Sequence, residues 1–204
     1  VTLDSVTHAS LVQRLARPGD PADADAAWLT FLDRYGPLLR GFCRRHDLGP
    51  AETDDVIQDV LLALTKALPG FTYDPARGKF RGYLKTIVLH ALYRRICQKR
   101  ADLPLDQVES AANAQAQTAS GDPATDAMWE QEWRQHHLAR AMRALDTEAS
   151  TRDLAVFEAY ALAGQPVEAV AGTHGLSTDA VYQIKSRLLR RLSALIQQQV
   201  DDEG

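Results

Sequence analysis

The sequence predicts an all-α protein: two small helical domains joined by a flexible acidic linker, the C-terminal one with a helix-turn-helix. Three observations predict it. Apolar residues recur at helical spacing along most of the chain, and no convincing run alternates with period two. Residues 101–126, "ADLPLDQVESAANAQAQTASGDPATD", have no aromatic residue and little Leu or Val, too little apolar surface to offset the entropy of ordering them. Near the end, a short apolar-faced helix, a glycine turn and a long amphipathic helix follow one another. Residues 1–20 are then an N-terminal extension, 21–100 a first domain, 101–126 the linker and 127–204 a second domain.

Each element has its local signals. Asp20-Pro21 reads as a helix start leading into "AAWLTFLDRYGPLLRGFCRRH", where Trp28, Leu29, Phe31, Leu32 and Tyr35 recur at core spacing. Gly36-Pro37 is expected to interrupt or kink that helix. "LGPAE" breaks the chain before "TDDVIQDVLLALTKA", a helix ended by Pro69-Gly70. In it Val56, Ile57, Val60, Leu61, Leu64 and Leu68 serve the core. Asp55, Gln58, Asp59 and Leu62, at i, i+3, i+4 and i+7, form one exposed strip. "TYDPARGKFRGY" reads as a loop, and a long helix runs from about Phe80 to Arg100. Beyond the linker, "MWEQEWRQHHLARAMRAL" and "STRDLAVFEAYALAGQ" are helical.

The last two helices carry the most specific pattern. Pro166 suits a first helical turn, Gly175 a chain reversal, Leu176 a plug in the turn and Ser177 a helix cap. Val181, Ile184, Leu188, Leu192 and Leu195 form one apolar stripe. Roughly opposite lie Asp179, Gln183, Ser186, Arg187 and Arg190, with Thr178 and Tyr182 near the amino end. Amide and carboxylate groups at such a helix start can read base edges, and arginines further along meet phosphates.

Net charge is −4, from 23 Lys and Arg against 27 Asp and Glu, which argues against a free-standing nucleic-acid binder. The charge is segregated, however. From Arg77 to Arg100 the chain carries bases and no acid, and from Ala101 to Glu132 acids and no base. That boundary is a statement about partners. Cys43 and Cys97 cannot form a disulfide framework, so a reducing cytoplasm is the expected compartment, with both thiols small and buried. Apolar runs are too short for a membrane span, and no leader pattern opens the chain. No glycine-rich phosphate loop, metal-spaced ligand set or nucleophile motif is present, so neither an enzyme nor a cofactor is expected. His136-His137, adjacent on a helix, make a poor metal pair.

Two motifs carry a family resemblance. "STDAVYQIKSRLLRRL" resembles the helix of bacterial sigma factors that reads the −35 promoter element. "DVIQDVLLALTKALPGF" resembles their helix that docks on the clamp of RNA polymerase, and "GKFRGYLKTIVLHALYRRI" resembles the segment that opens and holds the −10 element. Order and spacing are similar to the small extracytoplasmic-function (ECF) branch of the sigma-70 family, over about 25–100 and 128–197. The resemblance implies core polymerase binding by Asp55, Gln58, Asp59 and Leu62. It places the −10 strand at Tyr73, Arg77, Lys79, Arg81, Tyr83, Lys85, His90 and Arg94. The −35 element falls to Ser177, Thr178, Asp179, Tyr182, Gln183, Ser186, Arg187, Arg190 and Arg191.

Opening DNA costs about 0.6–2.2 kcal/mol of stacking per step. Aromatic platforms return about 1–3 kcal/mol per stacked base. Phe71 and Phe80 are expected to be packed, leaving Tyr83 the better platform. Tyr83, His90 and Arg94 depart from the family's common tryptophan, asparagine and acid, which bears on −10 preference. His90 is expected to be a packed or solvated histidine. The linker could reach roughly 85 Å extended, enough for separate promoter elements, either as a nucleic-acid mimic in the polymerase channels or as a passive spacer. The implied partners are core RNA polymerase, promoter DNA and an anti-sigma factor or other protein regulator, with the free chain a monomer. The competing reading is a helix-turn-helix regulator with a helical sensing domain, acting as a homodimer.

Overall fold

The computed structural model describes residues 8–17, 19–68, 80–100 and 105–203. Every regular element among them is helical, as the periodicity predicts. Helix α1 (His8–Ala16) buries Leu11, Val12 and Leu15. Part of the segment set aside as an N-terminal extension therefore contributes to a core. Helix α2 (Pro21–Arg45) starts on Asp20, whose Oδ1 accepts from Asp23 N at 2.8 Å. It runs through Pro37 without interruption, so of the interruption or kink expected at Gly36-Pro37 the interruption does not occur. Proline removes one hydrogen bond and crowds the carbonyl four residues back. Leu38, Leu39 and Phe42, all buried just beyond, hold the helix to the core.

Helix α3 (Pro50–Ala67) begins with proline, and the Glu52 carboxylate accepts from Gly49 N at 2.9 Å, closing its first turn. Val56, Ile57, Val60, Leu64 and Leu68 are buried. Helix α4 (Phe80–Arg100) buries Phe80, Leu84, Val88, Leu89 and Leu92 in the same core.

At 101–126 the expectation is a flexible linker with at most transient helix, and the next element is a packed helix instead. Residues Leu105–Ser120 form α5, packed on α4. Val108, Ala112, Ala116 and Ala119 are buried, and Val108 and Ala112 form a small cluster with Cys97. Their near-heptad spacing puts a narrow small-residue stripe on one face, which lets two helices approach closely. Alanine contributes little to an apolar count, so composition alone reads the segment as a spacer.

Helix α6 (Pro123–Glu148) is capped by Asp122, whose Oδ2 accepts from Thr125 N at 2.8 Å. Those hydrogen bonds hold the Asp122 carboxyl below its ordinary range. The chain divides into two compact units, one comprising residues up to His136 with 202–204, the other His137–Asp201. The expected boundary at 126/127 thus falls about three turns too early. Trp129 and Trp133 belong to the first core, where Trp129 meets Phe42 edge-on at 5.1 Å between ring centroids. Glu203 also belongs there, its Oε1 accepting from Tyr35 Oη at 3.1 Å. Cys43 is fully buried, and burial pushes its thiol up to about 12.

The second unit holds the end of α6, α7 (Thr151–Phe157) with a π-helical turn Glu158–Leu162, α8 (Val167–His174) and most of α9 (Thr178–Asp202). Its core gathers Ala141, Leu145, Phe157, Val170 and the α9 stripe Val181, Ile184, Leu188, Leu192 and Leu195. The turn between α8 and α9 forms as its residues dictate. Gly175 adopts the left-handed conformation (φ 62°, ψ 43°), and Leu176 N donates back to Ala171 O at 2.9 Å. Ser177 Oγ then accepts from Ala180 N at 3.1 Å, capping α9.

Candidate functional site

The exposed strip on α3 forms because the helix buries its opposite face. Asp55, Gln58 and Leu62 are exposed, Leu62 at 58% despite being apolar, and Asp59 is half-buried. The strip borders the cations of α4. Arg95 Nη2 lies 2.7 Å from Asp55 Oδ2, Arg94 Nη1 lies 3.7 Å from Asp59 Oδ2, and Lys99 Nζ lies 2.8 Å from Glu52 Oε1. The Lys99 hydrogen bond, together with the Gly49 amide, holds the Glu52 carboxyl below its usual range.

Of the residues expected to hold the −10 strand, Tyr73, Arg77 and Lys79 lie outside the described residues. The remaining five share α4. Phe80 is 2% exposed, whereas Tyr83 is half-buried, with its phenol pushed up by burial. Arg81 sits 5.3 Å from the centroid of the Trp133 ring and pairs with Glu130. Burial is the largest influence on the Arg81 guanidinium and lowers it from its ordinary value. Lys85 pairs with Asp126, and Arg94 Nε lies 3.5 Å from Glu109 Oε2. His90 is exposed, and its Nδ1 is hydrogen-bonded to Asn113 Oδ1 at 2.9 Å. Sequence reasoning missed this pairing of α4 with α5 and the start of α6. Its signal was the abrupt change from acid-free to base-free sequence at residue 101.

On α9, Asp179, Gln183, Ser186, Arg187 and Arg190 are exposed on neighbouring turns. Thr178 is half-buried, and Ser177 spends its hydroxyl on the helix cap. Tyr182 packs edge-on against Tyr160 at 5.6 Å, and a hydrogen bond with Tyr160 raises its phenol. Arg187 Nη2 lies 2.5 Å from Asp153 Oδ2, and Arg191 makes a two-pronged pair with Glu148 at 2.6 and 2.7 Å. Two of the three arginines expected on DNA backbone are thus held by acids of their own unit. Tyr160, which sequence reasoning did not single out, also lies 5.0 Å from Lys185 Nζ. No group of acids, histidines and cysteines among the described residues could hold a metal ion.

The described residues form an all-α fold with charged helix faces. Residues 31–101 match the family model for sigma-70 region 2. In sigma-70 factors that region is the part implied in binding core RNA polymerase and promoter DNA. No curated protein and no solved structure matches the chain. No helix among the described residues is long and apolar enough to cross a membrane.

Proposed function

We propose that the chain is a dissociable transcription initiation factor of the ECF type, with no catalysis of its own. The observation that carries this reading is the sigma-70 region 2 match over 31–101. On this reading Asp55, Gln58, Asp59 and Leu62 face a basic helix of core polymerase. Charge steers the encounter, and exposed Leu62 adds apolar area on docking. Helix α4 meets the −10 strand through Tyr83, His90 and Arg94 on one side and Arg81 and Lys85 on the other, Tyr83 offering a stacking plane and the cations meeting phosphates. In the second unit α8, the Gly175 turn and α9 act as a helix-turn-helix. Thr178, Asp179, Tyr182 and Gln183 read the −35 bases, and Ser186, Arg187, Arg190 and Arg191 contact backbone.

The first unit serves as the polymerase-binding half and the second, His137–Asp201, as the −35-reading half, and an anti-sigma protein is a fitting regulator. The net charge of −4 supports weak promoter binding by the free chain and specific binding by the holoenzyme. Run-off transcription with purified core polymerase and genomic promoter fragments tests this. Chain-dependent transcripts are expected from a subset of fragments. A chain that dimerises on palindromic DNA and never associates with polymerase would replace this reading with the regulator alternative.

A further inference from the structure

The cations of α4 that would meet DNA phosphates face carboxylates of the same chain. Arg81 pairs with Glu130, Lys85 with Asp126 and Arg94 with Glu109. Lys85 Nζ also lies 3.4 Å from the Ser120 carbonyl, and His90 is bonded to Asn113. From Arg81 to Arg94 the helix advances about 20 Å, and acceptors from α5 and early α6 accompany it over that length. A carboxylate offers an arginine or lysine the same anionic acceptor that a phosphate does. We propose that α5 and the start of α6 form an autoinhibitory strap on α4, α5 over His90 and Arg94 on one side and early α6 over Arg81 and Lys85 on the other, and that promoter single strand engages these side chains only by displacing α5 and outcompeting the α6 carboxylates. The proposal rests on reading α4 as the −10 face.

The strap has a loose part and a fixed part. Helix α5 is held by Val108 and a stripe of alanines, a thin apolar contact. Early α6 is anchored in the core by Trp129 and Trp133. Helix α5 therefore peels away and uncovers His90 and Arg94, while Asp126 and Glu130 stay and surrender Lys85 and Arg81 to phosphates. Those acids suit exchange: Glu109 is 58% exposed, Asp126 53% and Glu130 43%. Their partners are more covered, Lys85 at 13% and Arg81 at 27%, so the exposed carboxylates are the members that yield to competing anions. A cleft of about 280 Å³ at this seam, lined by Asp59, His90, Arg94, Glu109 and Asn113, shows that α5 does not seal the face.

The test is binding of a fluorescent single-stranded DNA oligonucleotide to the full chain at fixed low salt. The variant Glu109→Gln/Asp126→Asn/Glu130→Gln is expected to bind at least about ten-fold tighter than wild type, as expected for Arg81 and Lys85 released to meet phosphates and Arg94 left with Asp59 alone. Asp25→Asn/Asp33→Asn/Asp47→Asn changes net charge equally at exposed acids away from the strap and is expected to stay near wild type. Ala116→Trp displaces α5 by bulk, without changing charge, and is expected to raise affinity as well. Equal, measurable binding by wild type and strap variant, or an equal gain in the control, overturns the proposal. If wild type and variants alike bind no single strand, free or with core polymerase, the α4 reading fails and takes the strap with it. That outcome is distinct, because binding itself is lost.

Discussion

Arg95 Nη2 lies 2.7 Å from Asp55 Oδ2, which ties the acidic strip of α3 to the basic face of α4 within one domain. The pair is half exposed, with side chains 35% and 49% accessible. Exposed pairs contribute only about 0–1 kcal/mol, so Asp55 remains available to a partner at little cost in stability. Asp55→Lys/Asp59→Lys is expected to abolish co-migration with core polymerase on size exclusion. The urea midpoint should move by no more than the equivalent of about 2 kcal/mol, since two exposed pairs are lost at up to about 1 each. Retained co-migration in a folded variant would remove the strip from the interface.

Trp129 tests where the first domain ends. It is 2% exposed and packs on Phe42. Truncating a buried tryptophan costs about 3–5 kcal/mol. Trp129→Ala is expected to destabilise the first unit by that amount and to speed amide hydrogen exchange in α2, while α8 and α9 keep wild-type protection. Unchanged exchange in α2 would return Trp129 to the second domain, in line with a boundary at 126/127.

What could be read from the residues alone divides along a physical line. The Gly175–Ser177 turn and the α3 and α9 stripes depend on near neighbours, so their residue types announce them. The placements of α5 and Trp129 do not. Whether Ala112 and Ala116 are a spacer or a close-packed seam depends on the partner helix. Whether Trp129 joins Phe42 or the core around Phe157 depends on how α6 is shared between two cores. The strip on α3 was legible as exposed, but its pairing with Arg94 and Arg95 was not, because it needs the α3–α4 register. Pro37 shows local propensity overridden, since buried Leu38, Leu39 and Phe42 carry the helix past it.

Glu52 supplies a pH signature. Lys99, then the Gly49 amide, stabilises its charged form and lowers its folded pKa. A depressed folded pKa adds stability above the unfolded glutamate value of about 4.3, and that stability is lost as pH falls through the folded value. Glu52→Gln keeps an acceptor for Gly49 but not the charge. The difference between wild type and variant in urea unfolding should favour wild type at pH 7 and vanish in acid. A difference that persists at pH 2 would mean that the carboxylate charge is not what matters.

Gly175 tests whether the α8–α9 turn depends on backbone conformation alone. Its φ of 62° is left-handed, and a Cβ built there meets nothing within 4 Å, so no steric contact confuses the outcome. A side chain in this conformation costs about 1–2 kcal/mol. Gly175→Ala should destabilise the second unit by that amount, and Gly175→Asn by less, since asparagine tolerates the left-handed region better. Hydrogen exchange of the Leu176 amide, which donates to Ala171 O, reports the change locally. The ordering Gly, Asn, Ala is the discriminating result. Equal losses for Asn and Ala would point to lost flexibility in place of the handedness of the turn, and with it the fixed presentation of Thr178 and Asp179 at the start of α9.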